Sequence, residues 1–173
     1  MLRVVLSTNL FEYEVGHMNS RITPAYWMKI AVEVAKASTC RAEVGCVLVH
    51  KKTIVGMGYV GSVHGDAHCD ERNHILVKTE QKGSTQDGDT CIRTIHAEMN
   101  AVLKCTIRGS EESGWIDCYS TYQPCLECTK ILLQIGVRAI YYIKPYKDKW
   151  RQIYMDEFDL YNDEEVLWVQ VKL

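Results

Sequence analysis

Several features that would point to particular classes of protein are scarce or missing in this sequence. Its 173 residues include three prolines and two phenylalanines, and no stretch approaches the roughly 20 consecutive apolar residues that span a bilayer. Nothing near residue 1 combines a basic region, an apolar block and a small-residue cleavage site, as a secretion signal would. We therefore expect a cytoplasmic protein without a membrane segment.

An excess of either charge is also missing. The chain has 20 basic and 22 acidic side chains, and its net charge is -2. Proteins that follow a phosphate backbone usually have a basic surface with interleaved aromatic residues. We do not expect a nucleic-acid partner, whereas a small anionic ligand is compatible with this balance.

Cysteine, by contrast, is abundant, with eight residues. A disulfide framework suits a small secreted chain, but hydrophobic residues make up 47% of this one, which is enough for a core, so metal binding or burial is the expected use. Cys46, Cys105 and Cys118 lie in apolar-periodic segments, where cysteine usually behaves as a small buried hydrophobe. The other five are candidates for metal chemistry: Cys40, Cys69, Cys91, Cys125 and Cys128.

The apolar pattern predicts one α/β domain. A capping threonine followed by proline begins a helix over 23–38, and two strands over 44–60 join at a turn of Lys51 and Lys52. From about residue 61 to 89 the periodicity disappears, and such a long irregular segment is usually functional or disordered. The first 17 residues match no element, so we predict an extension over 1–17 and the domain over 18–173.

The second half of the chain predicts a parallel crossover. A helix over about 95–107 is followed by a strand, a helix ending at Gly136 and a second strand. The second strand is nearly all apolar, so we expect it to be buried on both faces. The strand, helix, strand order favours a right-handed parallel connection. A polar helix and a last strand complete a five-stranded domain. After the helix over 95–107, the predicted strands span 115–121, 137–143 and 166–171, and the predicted helices span 125–135 and 149–158.

Two motifs at predicted helix starts suggest one metal site. "TIHAEMNAVLKC" offers His96 and then Glu98, and "YQPCLECTKILL" offers Cys125 and Cys128. Helix starts cluster at the carboxyl ends of strands in α/β sheets. A catalytic zinc takes three protein ligands and leaves a fourth place for water, whereas a structural zinc is normally closed by a fourth protein ligand. H-x-E followed by P-C-x-x-C is the signature of zinc nucleobase deaminases, which favours a catalytic zinc with Glu98 as proton carrier.

These motifs, with "STCRAEVGCVLV", "IVGMGYVGS" and "GVRAIYY", resemble the cytidine deaminase-like superfamily from about Thr23 to Tyr146. "CIRTIHAEMNA" is most similar to the deoxycytidylate (dCMP) deaminases, and enzymes acting on free cytidine usually have Cys in place of His96. The resemblance implies a three-layer α/β fold, in which helices flank a five-stranded mixed sheet.

The resemblance also implies a reaction. Zinc held by His96, Cys125 and Cys128 would activate water for attack on the amino-bearing carbon of cytosine, while Glu98 protonates the adjacent ring nitrogen. Ammonia leaves, and the product dUMP supplies thymidylate synthesis. Such enzymes are commonly hexamers that dCTP activates and dTTP inhibits at a separate site, where Mg can accompany a triphosphate.

Effector and phosphate contacts are predicted from the same resemblance. The effector candidates are Gly58, Val60, Gly61 and Asn100. The usual "GYNG" is "GYVG" here, and because valine has no hydrogen-bonding side chain, we expect altered nucleotide contact or regulation. Arg41 and Arg93 are candidates for the substrate phosphate, since arginine can bind phosphate bidentately. An ordinary structural role fits each arginine equally well.

A second metal site is predicted around the irregular segment. Cys40, Cys69, His74 and Cys91 would form a three-Cys, one-His set typical of structural zinc, and His64 or His68 could replace His74. Some phage and bacterial dCMP deaminases are similar in having extra zinc ligands in this segment. The alternative is a mobile loop with incidental histidines.

Two other functions share these motifs. A tRNA adenosine deaminase or polynucleotide cytidine deaminase has the same metal ligands, but the charge balance argues against a polymer substrate. A nonenzymatic, zinc-stabilised nucleotide sensor is compatible with Val60, although it would have no use for Glu98 as a proton carrier beside an open zinc position.

Overall fold

The computed structural model describes residues 21–78, 89–110, 113–146, 148–161 and 166–173. The predicted boundary between residues 17 and 18 lies outside these ranges. None of the helices that the structure describes combines the length and the apolar character needed to cross a bilayer. Its elements, in chain order, are α1 (Pro24–Ala35), β1 (Gly45–His50), β2 (Thr53–Tyr59), β3 (Gly61–Ser62), α2 (Cys69–Arg72), β4 (Leu76–Lys78), β5 (Asp89–Cys91), β6 (Thr94–Ile95), α3 (Ala97–Leu103), β7 (Ile116–Tyr122), α4 (Leu126–Gln134), β8 (Val137–Lys144), α5 (Lys149–Tyr161) and β9 (Leu167–Gln170).

The main sheet is five-stranded and mixed, as predicted. Its order is β2-β1-β7-β8-β9; β1 runs antiparallel to β2 and β7, whereas β7, β8 and β9 run parallel. The parallel pair β7 and β8 is joined through α4, which confirms the predicted strand, helix, strand unit.

Helices cover both faces of this sheet because successive strand residues point to opposite sides. On β1, Leu48 joins a core with residues of α3 and α4, whereas Val47 and Val49 join a second core with α1. On β7, Cys118 joins the core with α3 and α4, and Tyr119 joins the core with α1. The result is the predicted three-layer arrangement, and the complete burial of Cys46 and Cys118 confirms their predicted place in the core.

The β1–β2 hairpin turns where the sequence predicts. Lys51 and Lys52 both have positive φ, 47° and 62°, as in the two-residue turns whose twist matches that of the flanking strands. Two glycines of β2 then let α3 approach the sheet. A Cβ on Gly58 would lie 2.4 Å from the backbone nitrogen of Ala101, and one on Gly56 would lie 2.6 Å from the carbonyl oxygen of that residue.

The prediction of an irregular segment from residue 61 to 89 is wrong in part. β3 pairs with β6, α2 follows, and β4 pairs with β5; residues 79–88 lie outside the described residues. These elements have two to four residues each, too few to produce an apolar period. The helix predicted over 95–107 is also shorter, since α3 ends at Leu103.

Full burial of the strand over 137–143 is likewise only partly observed. The first half of β8 is buried apart from Arg138, but Tyr141 to Ile143 are half-buried.

Candidate metal centre and active site

His96, Cys125 and Cys128 come together in the structure. The Nδ1 atom of His96 lies 3.6 Å from the Sγ atom of Cys125 and 3.3 Å from that of Cys128. His96 occupies the N-cap position of α3, Cys125 that of α4, and Cys128 lies in the first turn of α4. The two motifs therefore meet as the sequence predicts, on helix starts beside the central strands.

The donor set of these residues fits zinc. Two sulfurs and one imidazole nitrogen lie within 4.8 Å of one another, and a catalytic zinc needs three such ligands with one place left open. A hydrogen bond from Cys128 is the main factor that lowers the pKa of Cys125 to about 4, and His96 contributes in the same direction. The same hydrogen bond raises the pKa of Cys128. The lowered pKa favours the thiolate form of Cys125, which is the form of cysteine that binds metal ions.

Glu98 lies next to this centre and is buried, with 4% of its surface exposed. Burial raises its pKa, although His96 and the hydrogen bond from Ser120 act in the opposite direction. The Ser120 hydroxyl donates to Oε1 of Glu98 at 3.1 Å and fixes one carboxylate oxygen. A raised pKa makes a carboxyl group a better proton acceptor, as a residue that accepts and returns a proton requires.

Ser120 was not among the residues predicted from the sequence. It lies on β7 and is fully buried. Its place two strand positions after Cys118, on the face toward α3, is the sequence feature that could have indicated it.

Cys40, Cys69, His74 and Cys91 form a second group whose ligand atoms lie within 4.8 Å of one another. Nδ1 of His74 lies 3.7 Å from Sγ of Cys40, and the sulfurs of Cys69 and Cys91 are 3.8 Å apart. Neither His64 nor His68 belongs to the group found among the described residues. This places His74, rather than its two alternatives, with the three cysteines.

The thiols of this second group differ in acidity. Burial and a hydrogen bond with Cys91 raise the pKa of Cys69 to about 12. Burial also acts to raise the pKa of Cys91, but hydrogen bonds from the Arg93 backbone and His74 outweigh it, and the pKa is lowered to about 7.

The two candidate phosphate ligands have different surroundings. Arg41 is exposed. Arg93 donates to both carboxylate oxygens of Asp66 at 2.9 and 3.0 Å, and to the carbonyl of Asn73 at 3.3 Å. The structure thus gives Arg93 a structural partner, and phosphate contact stays a prediction for both residues.

The four candidate effector residues also have structural contacts. Gly58 lies beneath α3, and Gly61 pairs with Ile95. Val60 is buried in the core, and the Asn100 side chain donates to the Tyr59 carbonyl at 2.9 Å. Effector binding by these residues stays a prediction.

Comparison with known proteins decides the family. The sequence profile of the cytidine and deoxycytidylate deaminase zinc-binding region matches residues 22–144. The chain belongs to this deaminase family. Its fold agrees: the dCMP deaminase of cyanophage S-TIM5, solved in complex with dCMP and dUMP, superposes with a TM-score of 0.60 at 26% identity, covering 90% of this chain and 100% of that one.

Sequence relatives of this deaminase family member come from bacteria, phages and eukaryotes. ComE operon protein 2 of Bacillus subtilis is 37% identical over 70% of this chain and 59% of its own length. The deoxycytidylate deaminase of Mycobacterium phage D29 is 31% identical over 69% of this chain and 92% of its own length. The chain thus spans less than two thirds of the Bacillus protein and 37% of the deoxycytidylate deaminase of Schizosaccharomyces pombe.

Proposed function

We propose that the protein catalyses the hydrolytic deamination of dCMP to dUMP and ammonia. The observation that carries this proposal is a buried carboxyl group, Glu98, two residues after His96 and beside the cluster of His96, Cys125 and Cys128. A purely structural metal site gains nothing from a buried acid with a raised pKa. The kinship with a phage enzyme named deoxycytidylate deaminase and with the cyanophage enzyme solved with dCMP and dUMP supports the choice of substrate.

We assign the chemistry to named side chains. His96, Cys125 and Cys128 would hold a zinc ion, which when bound acts as a Lewis acid and lowers the pKa of water. Glu98 accepts a proton from the attacking water and donates it to the ring nitrogen beside the amino-bearing carbon. It then takes the remaining proton from the oxygen added to that carbon and transfers it to the amine. The C–N bond breaks as the carbonyl forms, so that dCMP and water become dUMP and ammonia. Ser120 keeps one oxygen of Glu98 oriented, which leaves the other for the proton.

The decisive experiment replaces Glu98 with glutamine and measures dUMP formation by mass spectrometry. Because the amide cannot carry the proton, we expect kcat to fall by roughly 10²- to 10⁴-fold while zinc content stays unchanged. Glu127→Gln is the matched control, since Glu127 is exposed and lies between the two cysteines of the motif. Unchanged turnover in Glu98→Gln would overturn the mechanism.

The same assay separates the alternatives. Products from dCTP, dCDP and deoxycytidine would define the substrate range. Turnover of a tRNA or of a cytosine oligonucleotide, but not of dCMP, would favour a polymer deaminase. Binding of dCMP without any turnover by the zinc-loaded protein would favour a nonenzymatic nucleotide sensor.

We also propose a structural zinc at Cys40, Cys69, His74 and Cys91. The four ligands come from the loop before β1, the start of α2, the residue two before β4 and the end of β5. A metal would join these short elements, which have little apolar burial to hold them together. Metal analysis should give two zinc ions per chain, and one ion in Cys69→Ser. Cys105→Ser is the control, and one ion per chain in the parent protein would contradict this site.

The remaining proposals follow from kinship. We propose a cytoplasmic hexamer in which residues 18–173 form one deaminase domain and dUMP supplies thymidylate synthesis. We propose Arg41 and Arg93 as phosphate contacts, although Arg93 would have to leave Asp66. We propose regulation by dCTP with Mg and by dTTP near Gly58 to Gly61 and Asn100, which initial rates with each nucleotide would test.

A further inference from the structure

Two buried polar side chains lie against the cysteine motif without belonging to the metal-ligand set. Asp148 is 8% exposed and Arg151 is 6% exposed, and both lie at or just before the start of α5. Buried charges are rare in proteins unless specific partners compensate them. Their partners here include the backbone groups on either side of Cys125.

Asp148 caps two helices at once. Its Oδ2 atom accepts a hydrogen bond from the backbone N–H of Leu126, the first residue of α4, at 2.8 Å. Its Oδ1 atom accepts from the backbone N–H of Arg151, in the first turn of α5, at 3.0 Å. The N-cap residue of α4 is Cys125, whose side chain makes no capping hydrogen bond. Asp148 thus supplies the acceptor that a capping side chain would normally provide, and the Cys125 sulfur remains available to a metal.

Arg151 holds the other side of Cys125. Its Nη1 atom donates to the carbonyl oxygen of Pro124 at 2.5 Å, and its Nη2 atom donates to the carbonyl oxygen of Tyr146 at 2.8 Å. The guanidinium also lies over the Trp168 ring, 5.4 Å from its centroid. The planar fork of arginine can hold two carbonyl groups in fixed relative positions, which lysine cannot do.

The two contacts together fix the backbone of Cys125. The Pro124 carbonyl belongs to the peptide group before the Cys125 Cα, and the Leu126 N–H belongs to the peptide group after it. When both peptide planes are held, the two backbone dihedrals of Cys125 are held, and the direction of its Cβ–Sγ bond is restricted. Helix packing alone would not require contacts to both of these groups.

We propose that Asp148 and Arg151 are positioning residues that hold Cys125 in the orientation of a metal ligand. This inference rests on the proposed function only in that Cys125 binds the metal; it does not depend on which nucleotide is deaminated. Contacts that orient metal ligands are typically worth about 10- to 100-fold in metal affinity or activity.

The test measures the metal centre as well as turnover. We would prepare Arg151→Lys, Arg151→Met and Asp148→Asn, and measure zinc affinity by competition with a chromophoric chelator. Cobalt(II) replacing zinc would report ligand geometry through its visible absorption. Arg138→Met is the matched control, since Arg138 also stacks on a tryptophan, Trp115, at 4.4 Å and donates to the carbonyl of Val137.

The expected result is a zinc affinity lowered by about tenfold or more in Arg151→Met and Asp148→Asn, with altered cobalt absorption. Arg151→Lys should keep the charge but lose most of the affinity, and Arg138→Met should match the parent. If Arg151→Met does not fold, Asp148→Asn and Arg151→Lys decide the question. Variants that melt at a lower temperature but keep the zinc affinity and the cobalt spectrum of the parent would overturn the proposal. Absence of dCMP turnover in the parent would refute the proposed function and leave the affinity comparison valid.

Discussion

Replacing Gly58 with alanine should displace the helix that carries His96 and Glu98. The new Cβ would lie 2.4 Å from the backbone nitrogen of Ala101 and 2.5 Å from the carbonyl oxygen of Ala97. Since ordinary contact begins at 3.4 Å, α3 has to move by about 1 Å. Overpacking of this kind costs roughly 1–3 kcal/mol, and a misplacement of about 1 Å at a reacting group can lower the rate about 10²-fold.

Gly45→Ala is the matched comparison for this variant. Its Cβ would lie 2.2 Å from the carbonyl oxygen of Ala31, an equally severe clash with a helix backbone, but α1 lies on the opposite face of the sheet from the metal ligands. Both variants should melt lower, by about 2–4 °C for each kcal/mol lost in a chain of this size. Only Gly58→Ala should also lose kcat and zinc affinity per folded molecule.

The assay combines calorimetry with dCMP turnover corrected for the folded fraction. Equal losses of kcat and zinc affinity in the two variants would refute the idea that contact between β2 and α3 sets the place of the metal centre. A Gly58→Ala protein with the parent stability would show that the helix can relax without cost.

Three further outcomes are expected. Asp117→Asn should be more stable than the parent above about pH 6, because burial raises the pKa of Asp117 from 3.8 to about 6 and ionisation in the folded state then costs up to roughly 3 kcal/mol. The parent loses this stability as the pH rises from about 4 to about 6. The urea midpoints of the two proteins should therefore converge as the pH falls through that window, and a constant difference would contradict the raised pKa of Asp117. Dialysis against a strong zinc chelator should abolish deamination and added zinc should restore it; activity that survives complete removal of metal would contradict the role of His96. Gly136→Ala should lower the urea midpoint more than a simple clash would. Gly136 has a φ of 84°, and a Cβ there would lie 2.3 Å from the Gly109 carbonyl oxygen, so backbone strain adds to steric overlap. An unchanged midpoint would contradict this packing.

The sequence predicted the large elements and the grouping of His96 with Cys125 and Cys128 because both produce local signals. The turn at Lys51 and Lys52 lies between two apolar runs, and His96 with Cys125 and Cys128 lie at helix starts that an α/β sheet brings together. Short elements such as β3 and α2 gave no such signal, because a period needs several residues to appear.

Hydrogen bonds between segments that are distant in the sequence were not predicted. Asp148 directly precedes the helix predicted from residue 149, but its bond to Leu126 depends on how α5 packs against α4. Ser120 likewise meets Glu98 only once β7 lies beneath α3. Such pairings depend on tertiary packing, which a single sequence does not reveal.

The three proposed zinc ligands lie at the starts of two helices that meet only in the folded chain. Zinc supply is therefore expected to affect the amount of native protein. An unfolded chain keeps Cys125 and Cys128 close together but loses His96, so it binds zinc more weakly than the native protein. By mass action, free zinc at about 100 times its dissociation constant from the native state adds about 2.7 kcal/mol to stability when the unfolded chain does not bind it. A weakened variant could therefore be recovered by added zinc, and the same dependence would make zinc starvation act on protein abundance before it acts on the catalytic step.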